Sequence, residues 1–499
     1  MKQTTYVKKN KWIHFVYLVL FVGLFVLIAN AYFDSSKETE SNQTANNSDE
    51  GLLLTKGAKN LPILVIDTNG QTIEANTEKK EIEVNGVPRK VNQASERYTV
   101  DLKLYEPGVT GQTVIDSKAV PTMASKVVMN VRGQSSLRYK KQQYTIRLVD
   151  EYGLKNPQEF LGMASHDKWV LNGLYSDKSL MRNAIAYKMG RDTMAYAPDT
   201  RYVEVYLKNT ETALNDAEHY VGVYLLTEKI ERDRNRVDID KNSEKYQDIS
   251  FIFSRDKIKY GDVLLRSDWN RLEEDFIVDE NNVRRAGTVF TTTYPSNDNM
   301  TEEFKTAITD YINEFEYALR SNHFDNPRTG YRKYIDVDSF INFAMINEVT
   351  KNVDGGEVSA YFHKDLGGLM TAGPIWDFDQ SLGNTRLEEL NEPTGFRIVN
   401  VIWYERLFQD QSFVKRYKSM YRNYRNTIWS NQNIDSLIDE QLLVLGSSVQ
   451  RNQEKWYPQD TQEDQDKEIE KVRTFLKERL TWMDKNIDSM DRIKENPEK

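Results

Sequence analysis

A chain of 499 residues exceeds the usual size of one domain, and 39% apolar residues are ample for a buried core. A formal net charge of -9 gives no support for general nucleic-acid binding, which favours a basic surface. With no cysteine, disulfides, thiolate nucleophiles, thiolate zinc sites and iron–sulfur clusters are excluded, and five scattered histidines lack the spacing of a zinc site.

Lys2, Lys8, Lys9 and Lys11 precede an almost unbroken apolar run from Trp12 to Phe33. That length suits one helix across a hydrocarbon core of roughly 30 Å, and positive charge before it places the N-terminus inside. Residues 1–11 are thus expected as a cytoplasmic basic tail, 12–33 as a transmembrane helix, and the rest of the chain outside. A cleaved signal peptide is the alternative, because Ala29-Asn30-Ala31 matches the small-x-small cleavage pattern. Residues 34–59 are rich in Ser, Asn, Glu, Thr and Lys and predict a disordered linker.

Apolar runs at Leu61 to Ile66, Ile82 to Val84 and Tyr98 to Tyr105, with turn signals at Asn69-Gly70 and Asn85-Gly86, predict a small β region over 60–120. Val127 to Val131, Tyr144 to Val149 and Trp169 to Leu171 read as further strands. Asp177 has the character of an N-cap for a helix from Lys178 to about Arg191. Tyr202 to Leu207 and Tyr220 to Thr227 read as an antiparallel pair. Thr301 to Ser321, Val337 to Thr350, Phe413 to Trp429 and Glu463 to Met490 carry helical spacing. Strands first and helices later indicate an α+β, two-lobed body. Asp238-Ile239-Asp240-Lys241-Asn242 begins like a calcium loop, but Ser243 stands where glycine is needed and no glutamate closes it.

Four ordered segments resemble the CotH (spore coat protein H) kinase-like family. They are Val131-Arg132-Gly133-Gln134-Ser135-Ser136 with Lys140-Lys141 and the strand Tyr144 to Leu148; Trp169-Val170-Leu171 through Tyr175-Ser176-Asp177 to Arg182-Asn183; Gly222 to Glu228; and Asn347-Glu348 through Asn352-Val353-Asp354 and Ser359 to Phe362 to Pro374-Ile375-Trp376-Asp377-Phe378-Asp379. The resemblance implies a divergent two-lobed protein-kinase-like fold, with a kinase-like domain over 121–430 and a C-terminal helical extension over 431–499. It also implies serine phosphorylation of coat proteins, with ATP and Mg²⁺ (or Mn²⁺) as cofactors.

Phosphoryl transfer needs oxygen ligands for a divalent cation, positive charge on the phosphates and a carboxylate near the attacking hydroxyl. Asp377-Phe378-Asp379 resembles the metal-binding tripeptide of kinases, with Asp379 in place of its glycine. On an extended backbone, residues i and i+2 would present both carboxylates to one side. Asp354 lies 23 positions earlier and, by the same resemblance, is the candidate base. Kinases place a metal-binding asparagine a few residues after that aspartate. Here Ser359 takes that position, and Asn352 and Glu357 remain alternatives. Arg132, Ser135 and Ser136 are candidates for a phosphate cradle, Lys141 and Arg147 for the phosphate-pairing cation, and Glu228 for the adenine side. Each also has a plain structural alternative: a tight turn for 132–136, a solvated strand charge for Lys141 and Arg147, a strand-end carboxylate for Glu228. Arg182 and Asn183 are expected to position phosphate or to hold their helix. The expected protein is a single-pass bacterial membrane kinase, or a secreted or spore-surface one, acting on a Ser/Thr-rich protein. An inactive CotH-like scaffold organising envelope or coat proteins is the alternative.

Overall fold

Period-two alternation builds the first half of the body. The computed structural model describes residues 59–84, 87–116, 118–243, 248–267 and 289–492; the predicted tail, the span 12–33 and the tether to residue 58 lie outside the described residues. Among the described residues no helix is long and apolar enough to cross a membrane. The strands are β1 (Ile63–Asp67), β2 (Lys79–Val84), β3 (Val87–Asn92), β4 (Tyr98–Tyr105), β5 (Met123–Arg132), β6 (Gln143–Val149), β7 (Gln158–Phe160), β8 (Met163–His166), β9 (Lys168–Asn172), β10 (Thr200–Lys208) and β11 (Tyr220–Glu228). Seven of them close a barrel in the order β1-β10-β11-β9-β6-β5-β4. Val127, Met129 and Val131 of β5 and Tyr144, Ile146 and Leu148 of β6 fill its interior. Arg132, Thr145 and Arg147 consequently take the opposite face.

The predicted boundary at 120 runs through this barrel, because β1 and β4 are staves of it. The turn signals suggested a local sheet, and β2 and β3 do form a local hairpin. β1 instead pairs parallel to β10, with Ile63 opposite Glu204, a partnership that local sequence does not encode. The predicted helix at Lys178 also starts later. Leu180 holds left-handed backbone at φ 63°, so α1 spans Arg182–Arg191. Asp177 keeps a capping role, accepting the Ser179 amide at 3.0 Å and the Arg182 amide at 2.9 Å.

The second half has its own sheet. Strands β12 (Phe251–Asp256), β13 (Leu264–Leu265), β14 (Val289–Tyr294), β15 (Ala360–Lys364) and β16 (Thr371–Ala372) run in the order β13-β14-β12-β15-β16. Helices α2 (Glu302–Arg320), α3 (Val337–Thr350), α4 (Gln411–Asn426), α5 (Asn431–Leu445), α6 (Ser448–Trp456) and α7 (Gln462–Asn486) complete it. Phe253 and Phe362 of the sheet pack with Phe315, Phe340 and Trp403 in the larger core. The result is the expected α+β order, strands first and helices later.

Candidate active site

The turn that carries Asp354 grows from the end of α3. Lys351 closes the helix in left-handed backbone at φ 45°. Asn347 on its last turn receives the Asn352 amide group at 3.1 Å, and Asn352 in turn accepts the Asp354 amide at 3.2 Å. Gly355 packs so closely that a Cβ there would meet Asn347 Oδ1 at 2.7 Å, which accounts for the glycine. Beneath the turn, Glu348 is fully buried, accepts the Ile398 amide at 2.8 Å and pairs with equally buried Arg479 of α7. These bonds define the backbone from which the Asp354 carboxylate projects.

Asp377 and Asp379 reach the same cleft by a different geometry from the extended one expected. The segment is not a strand; Asp377 lies in left-handed backbone at φ 66°, as does Ser359 at φ 54°. Such conformations cost on the order of 1–3 kcal/mol for non-glycine residues and cluster at functional sites. α1 holds the segment in place. Asn183 accepts the Phe378 amide at 2.7 Å, and Arg182, paired with Asp177, donates to the Ser381 carbonyl at 3.1 Å. Of the two roles open to Arg182 and Asn183, both therefore serve the structural one. Asp379 accepts a hydrogen bond from Ser176.

The barrel closes the cleft from the other side. Gly133 at φ 125° lets the chain turn after β5, and a Cβ there would strike Ser136 Oγ. Arg132 lies over the Trp376 ring, 5.5 Å from its centroid. Lys257, just past β12, donates to Ser135 Oγ at 3.3 Å. The cleft has a volume of about 90 Å³, and Arg132, Ser135, Ser136, Asp354, Ser359, Asp377 and Asp379 all line it, joined by Asp256 and Lys257.

Negative charge dominates there. Burial first, then the charges of Asp379 and Asp354, push the Asp377 carboxyl well above the usual range, with Arg132 opposing. Burial also raises Asp379. Asp354 is pushed up to about 6 by burial and by Asp379, Asp256 and Glu357, while Lys257 pulls it down. A divalent cation would relieve this repulsion. Among the described residues no three His, Cys, Asp or Glu side chains are grouped to hold a metal by themselves. Two carboxylates and the Ser359 hydroxyl nevertheless fit Mg²⁺, which commonly uses one or two carboxylates and takes its remaining ligands from substrate phosphates and water.

Three predicted residues are not brought to the cleft. Lys141 is buried at 2% exposure and donates to the Val223 carbonyl at 2.5 Å and to Asn452 of α6 at 2.7 Å; it joins the barrel to a helix. Arg147 sits four residues along β6 from cleft-lining Gln143, and pairs with Asp167 at 3.2 Å. Glu228 faces Tyr196 at 3.1 Å and the Asp199 amide at 3.0 Å, so it fastens the end of β11. Asn352 is likewise spent on its turn, and Glu357 pairs with Arg397 at 3.3 Å. The residues that sequence reasoning missed are Asp256 and Lys257. Their signal was the apolar run Phe251-Ile252-Phe253 leading into Arg255-Asp256-Lys257, a strand with a charged end.

The family model described as CotH kinase protein matches residues 129–483. No curated protein matches the chain.

Proposed function

Because this chain belongs to the CotH kinase family, we propose that it is an exported, membrane-anchored protein kinase that transfers the γ-phosphoryl group of ATP to Ser or Thr hydroxyls of surface or coat proteins. The observation that carries this reading is the gathering of Asp354, Asp377 and Asp379 opposite Arg132 and Lys257 in one cleft. In this reading Asp354 orients the acceptor hydroxyl and receives its proton. Arg132 and Lys257 face the phosphate oxygens, with the Ser135 and Ser136 hydroxyls beside them. Asp377, Asp379 and Ser359 hold the cation. When bound, Mg²⁺ neutralises charge on the phosphates being parted. At about 90 Å³ the cleft is well below the roughly 300–1,000 Å³ of whole-ligand pockets, a size that suits the phosphates and the cation rather than a whole nucleotide.

The test uses full-length protein in detergent with labelled ATP, Mg²⁺ and a serine-rich acceptor. Asp354→Asn and Asp377→Asn are each expected to lower labelling by about 100-fold or more. A second reading, an inactive scaffold, is favoured by one observation: Asp379 is already engaged by Ser176 and no third carboxylate or histidine completes a metal group among the described residues. Wild-type protein that neither binds ATP nor labels any acceptor, itself included, would select the scaffold.

A further inference from the structure

Beside the cleft lies a larger groove of about 430 Å³. Its cations come from several elements: Lys79 from β2, Arg89 and Lys90 from β3, Arg138 from the turn after β5, and Lys257. No carboxylate lines it, on a chain whose net charge is -9. Glu81 faces Lys90 across the hairpin ladder but is not part of the wall. The hairpin is fastened beneath by Val84, Val91 and Ile258, which form a small apolar cluster of their own. The groove is therefore built, not a chance splay of surface lysines.

Lysines on an edge strand often serve only to discourage pairing with another sheet. That role leaves them in solvent; here they share a wall with Arg138, which belongs to another element. Nor do these charges serve the cleft directly. Lys79, Arg89, Lys90 and Arg138 line no part of it, whereas Gln134, Ser135 and Lys257 line both spaces. A polypeptide lying in the groove would thus pass Ser135 and Lys257 on its way to Asp354.

We propose that this groove docks an extended acidic segment of the acceptor protein, beside the Ser or Thr that is phosphorylated. The proposal rests on the kinase reading of the cleft and adds the substrate class. With the segment docked, the acceptor Oγ bonds to the γ-phosphorus as the bond from that phosphorus to the β–γ bridging oxygen breaks. The hydroxyl proton passes to Asp354, and the bridging oxygen leaves with its electron pair on ADP. Charge complementarity selects the acceptor, because carboxylates are the groups that a wall carrying Lys79, Lys90 and Arg138 recognises and a basic segment is repelled.

The experiment compares two fluorescent peptides, one with Ser flanked by Glu and one with Ser flanked by Lys, on the full-length protein in detergent. Anisotropy without ATP measures docking alone. The Glu peptide is expected to bind at least about tenfold more tightly, with a preference that fades as salt rises from about 0.05 to 0.5 M. Lys79→Ala with Lys90→Ala and Arg138→Ala, all exposed positions, should abolish the preference, and the three changes to Glu should reverse it. In labelling assays the alanine variant should raise KM for the Glu peptide and leave KM for ATP unchanged. Equal binding of the two peptides overturns the proposal. So does a rise in KM for ATP instead, which would make the groove a polyphosphate site. Capture of phosphatidylglycerol vesicles through these lysines, with peptide preference intact in the variant, also overturns it. If labelling fails while groove-dependent anisotropy persists, the kinase reading falls and the docking surface stands.

Discussion

Asp354 lies between opposing influences. Burial pushes its carboxyl up to about 6, the charges of Asp379, Asp256 and Glu357 add to that, and Lys257 opposes it. A carboxyl acts as a base only when ionised, so kcat/KM is expected to fall as pH drops through about 6 in the free enzyme. The sign of the Lys257 effect is then fixed. Removing its charge in Lys257→Met takes away the positive charge that favours the ionised form, and the acid limb should move to higher pH. Because Lys257 also faces the phosphates in the proposed reaction, the same variant should raise KM for ATP by about tenfold, the size of a lost charge-assisted contact. A pH–rate profile measured on both proteins checks this; an acid limb that stays in place detaches Asp354 from it.

At the scale of elements, the two faces of a strand were readable and the partners of each face were not. Alternation along β5 and β6 puts Arg132 and Arg147 on the outer face, but β6 meets the cleft only at its first residue, Gln143, and Arg147, four residues along, finds Asp167 instead. The carboxylates Asp354, Asp377 and Asp379 were legible because their order along the chain carries the family resemblance. Lys257 was not, since its place depends on β12 pairing with β15 across more than a hundred residues. Lys141 shows the same limit from the other direction. Its sequence neighbours suggested a phosphate-pairing cation, yet its Nζ is held by Val223 and Asn452, 4.8 Å from the Tyr224 ring centroid. Burial pulls its pKa well down. Lys141→Met is accordingly expected to keep KM for ATP within about twofold while lowering stability by about 1–3 kcal/mol, the cost of leaving the Asn452 oxygen poorly satisfied. Denaturant titration and steady-state kinetics on one preparation separate these outcomes; a large rise in KM for ATP would restore the phosphate role.

At the scale of the whole molecule, the C-terminal helices join the barrel to the helical body. α7 anchors the turn that carries Asp354 through Arg479 and Glu348. α6 docks on β10 and β11: Arg451 forks onto fully buried Glu204 of β10 at 2.8 and 2.9 Å, Asn452 accepts the Val223 amide of β11 at 3.1 Å, and Trp456 donates to the Val221 carbonyl at 3.1 Å. The glycine of the family-like segment Gly222 to Glu228 belongs to this docking. At φ 105°, a Cβ on Gly222 would meet Asn452 Oδ1 at 2.6 Å. Local sequence marked the glycine but could not say that a helix more than two hundred residues later approaches it. Such a bridge couples the stability of the barrel to that of the body. In the wild type, amides of β5 and β6 are expected to exchange with those of α3 in one denaturant-dependent transition. Arg451→Ala with Asn452→Ala leaves Glu204 as a buried carboxylate without its ion-pair partner, a loss of about 3–5 kcal/mol. Because that loss falls on the barrel side of the bridge, β5 and β6 should then exchange at lower denaturant than α3. Hydrogen exchange read by mass spectrometry resolves the two groups, and continued exchange in a single transition would mean that the barrel is held by contacts other than α6.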